Sequence, residues 1–180
     1  MEKNQYQTKQ TAISIHKALA SDSKRLWEVA EAIGLNHDPN YFEYNLEQQD
    51  AGKREVLIVQ WENQDVGYCI LNWDPKYALF RKLEIPEIQD LNVSKDMRRR
   101  GIATALIHYC ETLAGERQHK QMGISAGLDS SFGAAQRLYI KLGYIPDGHG
   151  VTYDRQPVTP GEIRPVDENL CLMMVKDLVN

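Results

Sequence analysis

One segment constrains the fold of this chain more than any other. Leu91-Asn92-Val93 ends an apolar, strand-like run, and Arg98-Arg99-Arg100-Gly101-Ile102-Ala103-Thr104 opens a stretch in which Ile102, Leu106, Tyr109, Cys110 and Leu113 share one helical face. A strand that passes into a helix through a short basic loop needs a sheet beside it, and the helix's apolar stripe needs a core. The helix start also offers unpaired N–H groups and the positive end of a dipole, which together favour an anion. Gly101 and Ala103 carry little or no side chain, so a ligand can approach the backbone closely. The three arginines add charge-assisted donors. Taken alone, the segment fits a cradle for a pyrophosphate, a solvated basic patch at an ordinary helix start, or a nucleic-acid contact.

Composition narrows these readings. A chain of 180 residues with 42% apolar and 26% charged residues suits one domain, residues 1–180, around a single core. The formal net charge of −4 argues against binding nucleic acid through phosphate neutralisation. Met1 to Gln7 hold no apolar run of the kind a signal peptide needs, and no stretch reaches the ~18 apolar residues of a membrane span. Cys69, Cys110 and Cys171 lie far apart, without a C-x-x-C or H-E-x-x-H pattern, so neither a disulfide framework nor a zinc site is expected. His16, His37, His108, His119 and His149 show no metal-ligand spacing. The expectation is a soluble cytoplasmic protein with reduced thiols, no metal, and neither nucleic acid nor membrane as partner.

Periodicity places the remaining elements. Thr11 to His16 alternates like a first strand, and Ser21 or Ser23 is placed to cap a helix whose apolar face is Leu26, Val29, Ala30 and Ile33, ended by Gly34. Asp38-Pro39 predicts a second helix with proline at its first position. Glu55 to Trp61 and Val66 to Asn72 read as a hairpin, and Leu83 to Val93 as a third strand with Pro86 near its start. Gln121 to Ala126 predicts another strand, Ser130 to Leu142 a helix stopped by Gly143, and Leu170 to Lys176 a last strand. Residues 146–169, Pro146 to Asn169, hold four of the seven prolines and three glycines, which predicts a long loop serving as a lid or a mobile segment.

Two motifs in this frame carry a resemblance. Arg98-x-x-Gly101-x-Ala103, and Ala135-Gln136-Arg137-Leu138-Tyr139-Ile140-Lys141-Leu142-Gly143-Tyr144 one predicted strand later, resemble the two signatures of the GCN5-related N-acetyltransferase (GNAT) superfamily. The resemblance covers Thr11 to Lys176 in element order and Ile88 to Tyr144 in motif. It implies an α/β, single-domain GNAT-like fold: a mixed, mostly antiparallel sheet with a splayed pair of central parallel strands, flanked by helices. It also implies acetyl transfer from acetyl-CoA to the primary amine of a small molecule or peptide by direct attack. Carried over, Leu91 and Val93 would bond the pantetheine arm through their backbone. Arg98, Arg99, Arg100, Gly101, Ile102, Ala103 and Thr104 would hold the pyrophosphate, and Ala135 and Tyr139 would complete the cofactor contacts. Many relatives form homodimers, a state no feature of this sequence decides. One position departs: Phe132 stands where the family often has asparagine, with Ser130 or Ser131 as nearby polar substitutes.

The catalytic expectations follow. Tyr139 matches the family's general-acid tyrosine, and a phenol of reference pKa ≈ 10 stays protonated at neutral pH and can donate to a departing thiolate. The same residue also reads as a core aromatic on the inner helix face. Glu87 falls where some members carry a general-base glutamate. That role needs burial or a water chain to raise its basicity, and the residue could instead attract a cationic substrate or sit solvated at a strand edge. Glu84 is the reserve. Asp147, His149, Asp154 and Arg155 are the polar groups available to an acceptor in the 146–169 segment. The alternative to an enzyme is a non-catalytic acyl-CoA-binding regulatory module.

Overall fold

The computed structural model describes residues 12–178. The chain runs β1 (Ile13–Lys17), α1 (Ser23–Ile33), α2 (Tyr41–Asp50), β2 (Arg54–Trp61), β3 (Gln64–Asn72), α3 (Ala78–Lys82), β4 (Glu87–Val93), α4 (Ile102–Glu116), β5 (Gln121–Gly127), α5 (Gly133–Lys141), β6 (Ile145–Tyr153), β7 (Gln156–Pro157) and β8 (Leu170–Asp177). All eight strands join one sheet in the order β1-β2-β3-β4-β5-β8-β6-β7, antiparallel throughout except for the parallel pair β4 and β5. This is the mixed α/β sheet with a central parallel pair that the motifs imply.

Strand alternation divides the core between the two faces. Leu57 and Val59 of β2 join Cys69, Leu71, Ile88 and the buried stripe of α4, with Tyr139 and Tyr144 packed among them. Val56, Ile58 and Tyr68 point the other way, beneath Leu26, Val29 and Ala30 of α1 and Phe42 and Leu46 of α2. A third cluster, Tyr77, Phe80, Ile85 and Met173, centres on α3. Cys69, Cys110 and Cys171 are all buried free thiols, and no helix among the described residues is long and apolar enough to cross a membrane.

Several boundaries differ from the sequence expectation, each for a local reason. Thr11, the expected start of the first strand, and Met1 to Gln7 lie outside the described residues. Neither Ser21 nor Ser23 caps α1; the chain enters it through a 3₁₀ turn, Ala20–Asp22, and the Asp22 carboxylate accepts from the Leu19 N–H at 2.8 Å. Gly34 ends α1 in the left-handed conformation at φ 82°, as expected. Asn40 takes a left-handed φ of 65° and α2 begins only at Tyr41, leaving Pro39 outside the helix. The run from Leu83 is a strand only from Glu87. Leu83 to Pro86 form the turn that follows α3, whose Phe80 ring lies where a Cβ on Gly123 would come within 2.2 Å. The segment from Pro146 begins not as a loop but as β6, paired with β8 and interrupted between Pro146 and Val151. Gly148 and Gly150 there take φ of 82° and 83°, which hides the strand from any alternation pattern. Asp154 and Arg155, both left-handed, make the tight turn into β7.

Candidate active site

β4 and β5 pair only at Glu87 with Gly123 and Ile88 with Ile124; beyond that point the two parallel strands part. A bulge opposite β3 marks the place, with the register slipping between Tyr68 and Ile70 and Asp90 taking a φ of 47°. The Ser94 N–H donates to the Val66 carbonyl at 2.8 Å, so Asn92 and Ser94 bond toward β3. By alternation, Leu91 and Val93 turn their backbone groups toward the side β5 has left. A strand bulge has thus moved two sets of backbone donors and acceptors into a gap.

The basic loop follows at once. Arg98 is extended, Arg99 is left-handed at φ 62°, and Gly101 is left-handed at φ 81° as the residue preceding α4. No side chain caps α4, so the first-turn N–H groups stay free for an anion. A Cβ on Gly101 would meet nothing within 4 Å, so the approach is open. Arg98, Arg99 and Arg100 are exposed, with Arg100 lying over the Trp61 ring at 5.3 Å, while Ile102 is buried and anchors the turn. Ala103 and Thr104 are half-buried.

Across the gap, the Asp129 carboxylate accepts from the Ser131 N–H at 2.7 Å and starts a 3₁₀ turn that leads into α5. Hydrogen bonds from the Ser131 hydroxyl and backbone N–H hold the Asp129 carboxyl below its usual range. Phe132 packs on Gly127, where a Cβ would come within 2.5 Å of its ring. Ala135 packs half-buried against the α4 core, and Tyr139 is 6% exposed within it. Burial, reinforced by the neighbouring Cys69 and Cys171, pushes the Tyr139 phenol up to about 12.

Glu87 lies on the opposite face, since its neighbour Ile88 belongs to the α4 core. Its carboxyl group is fully buried and committed to donors: Arg155 Nη2 at 3.0 Å and Nε at 3.3 Å to one oxygen, Gln89 Nε2 at 2.9 Å to the other. Arg155 Nη2 also donates to Ser125 Oγ at 3.2 Å, so one guanidinium from the β6–β7 turn ties β4 to β5 just below their divergence. Burial opposes the Arg155 charge, but the attraction and hydrogen bonds of Glu87 outweigh it and raise the guanidinium pKa.

Above this pair a cleft of about 440 Å³ opens, lined by residues that include Tyr41, Arg54, Gln89, Asp90, Asp154 and Arg155. Asp90 stands at the bulge, where its carboxylate accepts from the Tyr41 hydroxyl. Asp90 is exposed as a residue, so although crowding by the cleft walls raises its carboxyl pKa against opposing contributions from Arg155 and His37, solvent tempers that rise. Of the polar groups expected in the 146–169 segment, Asp154 and Arg155 reach this cleft. Asp147 instead accepts from the Tyr77 hydroxyl at 2.8 Å and the His149 N–H at 2.9 Å. Glu84 is exposed outside the cleft, its carbonyl 2.8 Å from His119 Nδ1. Asp90, Arg54 and Tyr41 escaped the sequence reading. The available signal was an aspartate inside a strand, between Gln89 and Leu91.

The sequence match decides the family. The model of the acetyltransferase (GNAT) domain matches residues 52–146, just over half the chain. The chain belongs to the GNAT acetyltransferase family. Solved structures share the GNAT fold over nearly the whole length. The ribosomal-protein-S18-alanine N-acetyltransferase of Escherichia coli aligns at TM-score 0.66 and 14% identity, covering 92% of this chain and 94% of that one. The Salmonella typhimurium acetyltransferase that modifies the N-terminal serine of ribosomal protein L7/L12 aligns at 0.69 and 11%, covering 94% and 96%. The YncA structure from Salmonella typhimurium, which carries its cofactor acetyl-CoA, aligns at 0.65 and 16%, covering 93% and 95%. At these identities the likeness is one of fold. No curated protein matches this GNAT chain in sequence.

Proposed function

We propose that the chain moves an acetyl group from acetyl-CoA to the primary amine of a small molecule or peptide. The observation that carries the reading is the junction of a splayed β4 with an uncapped α4 N-terminus. Unpaired backbone groups at Leu91 and Val93 suit the amides of a pantetheine arm, and Arg98 to Thr104 suit a pyrophosphate. Ala135 leaves room for the arm beside α5. The bound thioester supplies an activated acetyl carbonyl.

The chain's own groups then divide the proton chemistry between the two faces of the sheet. Asp90 holds the acceptor's ammonium at the bulge and takes its proton; desolvation makes it a stronger base than an ordinary carboxylate. Tyr139 gives a proton to the departing thiolate, and the proton that the nitrogen sheds as the amide forms restores the phenol through solvent. A phenol near 12 is a weak acid in water, but the burial that raises it also raises a thiol brought beside it, so the two stay matched. Glu87, the expected base, has both carboxyl oxygens occupied by donors, one by Arg155 and the other by Gln89. We assign it the task of holding Arg155 across the β4–β5 junction.

The test is binding of acetyl-CoA by calorimetry, followed by thiol release across a panel of amines and peptide N-termini. Amine-dependent release supports the reading. Acetyl-CoA binding without release to any amine points to the non-catalytic acyl-CoA-binding module, and no binding at all overturns both.

A further inference from the structure

We infer that the acceptor is a primary amine that also bears a carboxylate, its ammonium on Asp90 and its carboxylate on Arg54. This rests on the acetyltransferase reading of the same cleft. Four cations line that cleft: Arg54, Lys76, Arg81 and Arg155. Three already have carboxylate partners: Lys76 pairs with Asp154, Arg81 with Asp74 at 3.5 Å, and Arg155 with Glu87 at 3.0 Å. Arg54 has none among the described residues. Its guanidinium donates to the Asn45 side-chain oxygen and lies over the Tyr44 ring at 5.3 Å. Asp90 is the converse, a carboxylate with a hydroxyl partner and no ion pair among the described residues. The cleft therefore holds one uncommitted cation and one uncommitted anion.

Arg54 is half-buried, and a charge there without a counter-charge costs free energy that a ligand of opposite charge recovers. Asn45 and the Tyr44 ring fix the Arg54 fork in place, and a fixed guanidinium matches a carboxylate in a bidentate way. A diamine would set its second cation against Arg54, and a neutral amine would leave Arg54 unpaired. A phosphate dianion would meet stronger repulsion from Asp74 and Asp154, which share the cleft, than a carboxylate does. A cleft of about 440 Å³ accommodates an amino-acid-sized zwitterion.

The experiment measures kcat/KM for α- and ω-amino acids, their carboxamides, an aminoalkyl phosphate and a diamine, with acetyl-CoA binding followed separately. The expected result is a preference of about tenfold or more for the free acid over its amide, the scale of a charge-assisted hydrogen bond. Arg54→Gln is expected to reduce that preference to about threefold or less, and Arg54→Lys to leave an intermediate value. Acids and amides used equally by the wild-type enzyme, a preference that survives in Arg54→Gln, or a phosphate or diamine as the best acceptor would each overturn the inference while leaving acetyl transfer in place. Transfer to no amine, with acetyl-CoA still bound, overturns the enzymatic reading itself and this inference with it.

Discussion

Replacing Glu87 with glutamine tests the pair on which the site is built. Glu87 is 0% exposed and the Arg155 side chain only 21%, so the substitution strands a guanidinium that solvent barely reaches. Removing one partner of a buried ion pair costs about 3–5 kcal/mol. The amide can still accept from Arg155, and Ser125 Oγ remains 3.2 Å from Nη2, which puts Glu87→Gln near the lower end, about 3 kcal/mol. Arg155→Met leaves the opposite charge stranded with Gln89 as its remaining donor and no solvent, so its cost lies nearer 4 kcal/mol. The double variant strands neither charge, and its loss is expected to fall short of the sum by about 2–3 kcal/mol. Urea unfolding of the four proteins, with m-values compared, measures this coupling. Additivity within about 0.5 kcal/mol would show that the two groups do not act as a unit and would sink the assignment. Turnover read on the same proteins separates the roles. A positioning role for Glu87 predicts similar, non-additive losses in kcat with the acid limb of the pH profile retained. A base role predicts that limb lost in Glu87→Gln.

Three further outcomes are expected. Tyr139→Phe should lower kcat by about 10²-fold or more with little change in melting temperature, because the hydroxyl makes no hydrogen bond among the described residues; turnover within twofold of wild type would remove it from the acid role. Asp90→Asn should abolish the acid limb of the pH–rate profile and raise stability at pH 7. A carboxyl whose folded pKa is raised contributes stability at low pH and loses it as pH rises through that pKa, so the gain over wild type should close in acid; a melting-temperature difference equal at both pH values contradicts this. The substitution also suits the backbone, since asparagine tolerates a φ of 47°. Gly101→Val should weaken acetyl-CoA binding and destabilise by about 1–2 kcal/mol, entirely through its φ of 81°, since a Cβ there meets nothing. Unchanged affinity in calorimetry would remove Gly101 from the cradle.

The two halves of the site were unequally legible for a physical reason. The proposed anion cradle is contiguous: strand, loop and helix start occupy Leu91 to Thr104, and each local preference in that stretch agrees with the next. The proposed acceptor cleft is assembled from Tyr41 on α2, Arg54 on β2, Asp90 on β4 and Arg155 in the β6–β7 turn. Only the sheet order, with α2 packed against β2, brings those four segments together, and no local pattern announces it. The expected loop from Pro146 failed for a related cause. Its glycines interrupt the alternation of β6, while pairing with β8, itself distant in sequence, keeps the strand. Glu87 was found by its distance from Gly101, but its commitment to Arg155 depends on a turn 68 residues away.

Phe132 shows how a departure in one motif is absorbed by its neighbours. An amide at that position would present a polar group where the family resemblance expects the cofactor. The phenyl ring instead lies flat on Gly127, the last residue of β5, which has no Cβ to obstruct it. Four residues on, Gln136 Nε2 donates to the Gly127 carbonyl at 2.7 Å. Residues four apart share a helix face, so ring and amide clamp the entry of α5 to one strand terminus from the same side. Tyr139 follows three residues later on that face, which turns it into the α4 core rather than toward solvent. The side chain that departs from the family pattern therefore helps to aim the proposed acid, and the contact it offers a ligand is apolar.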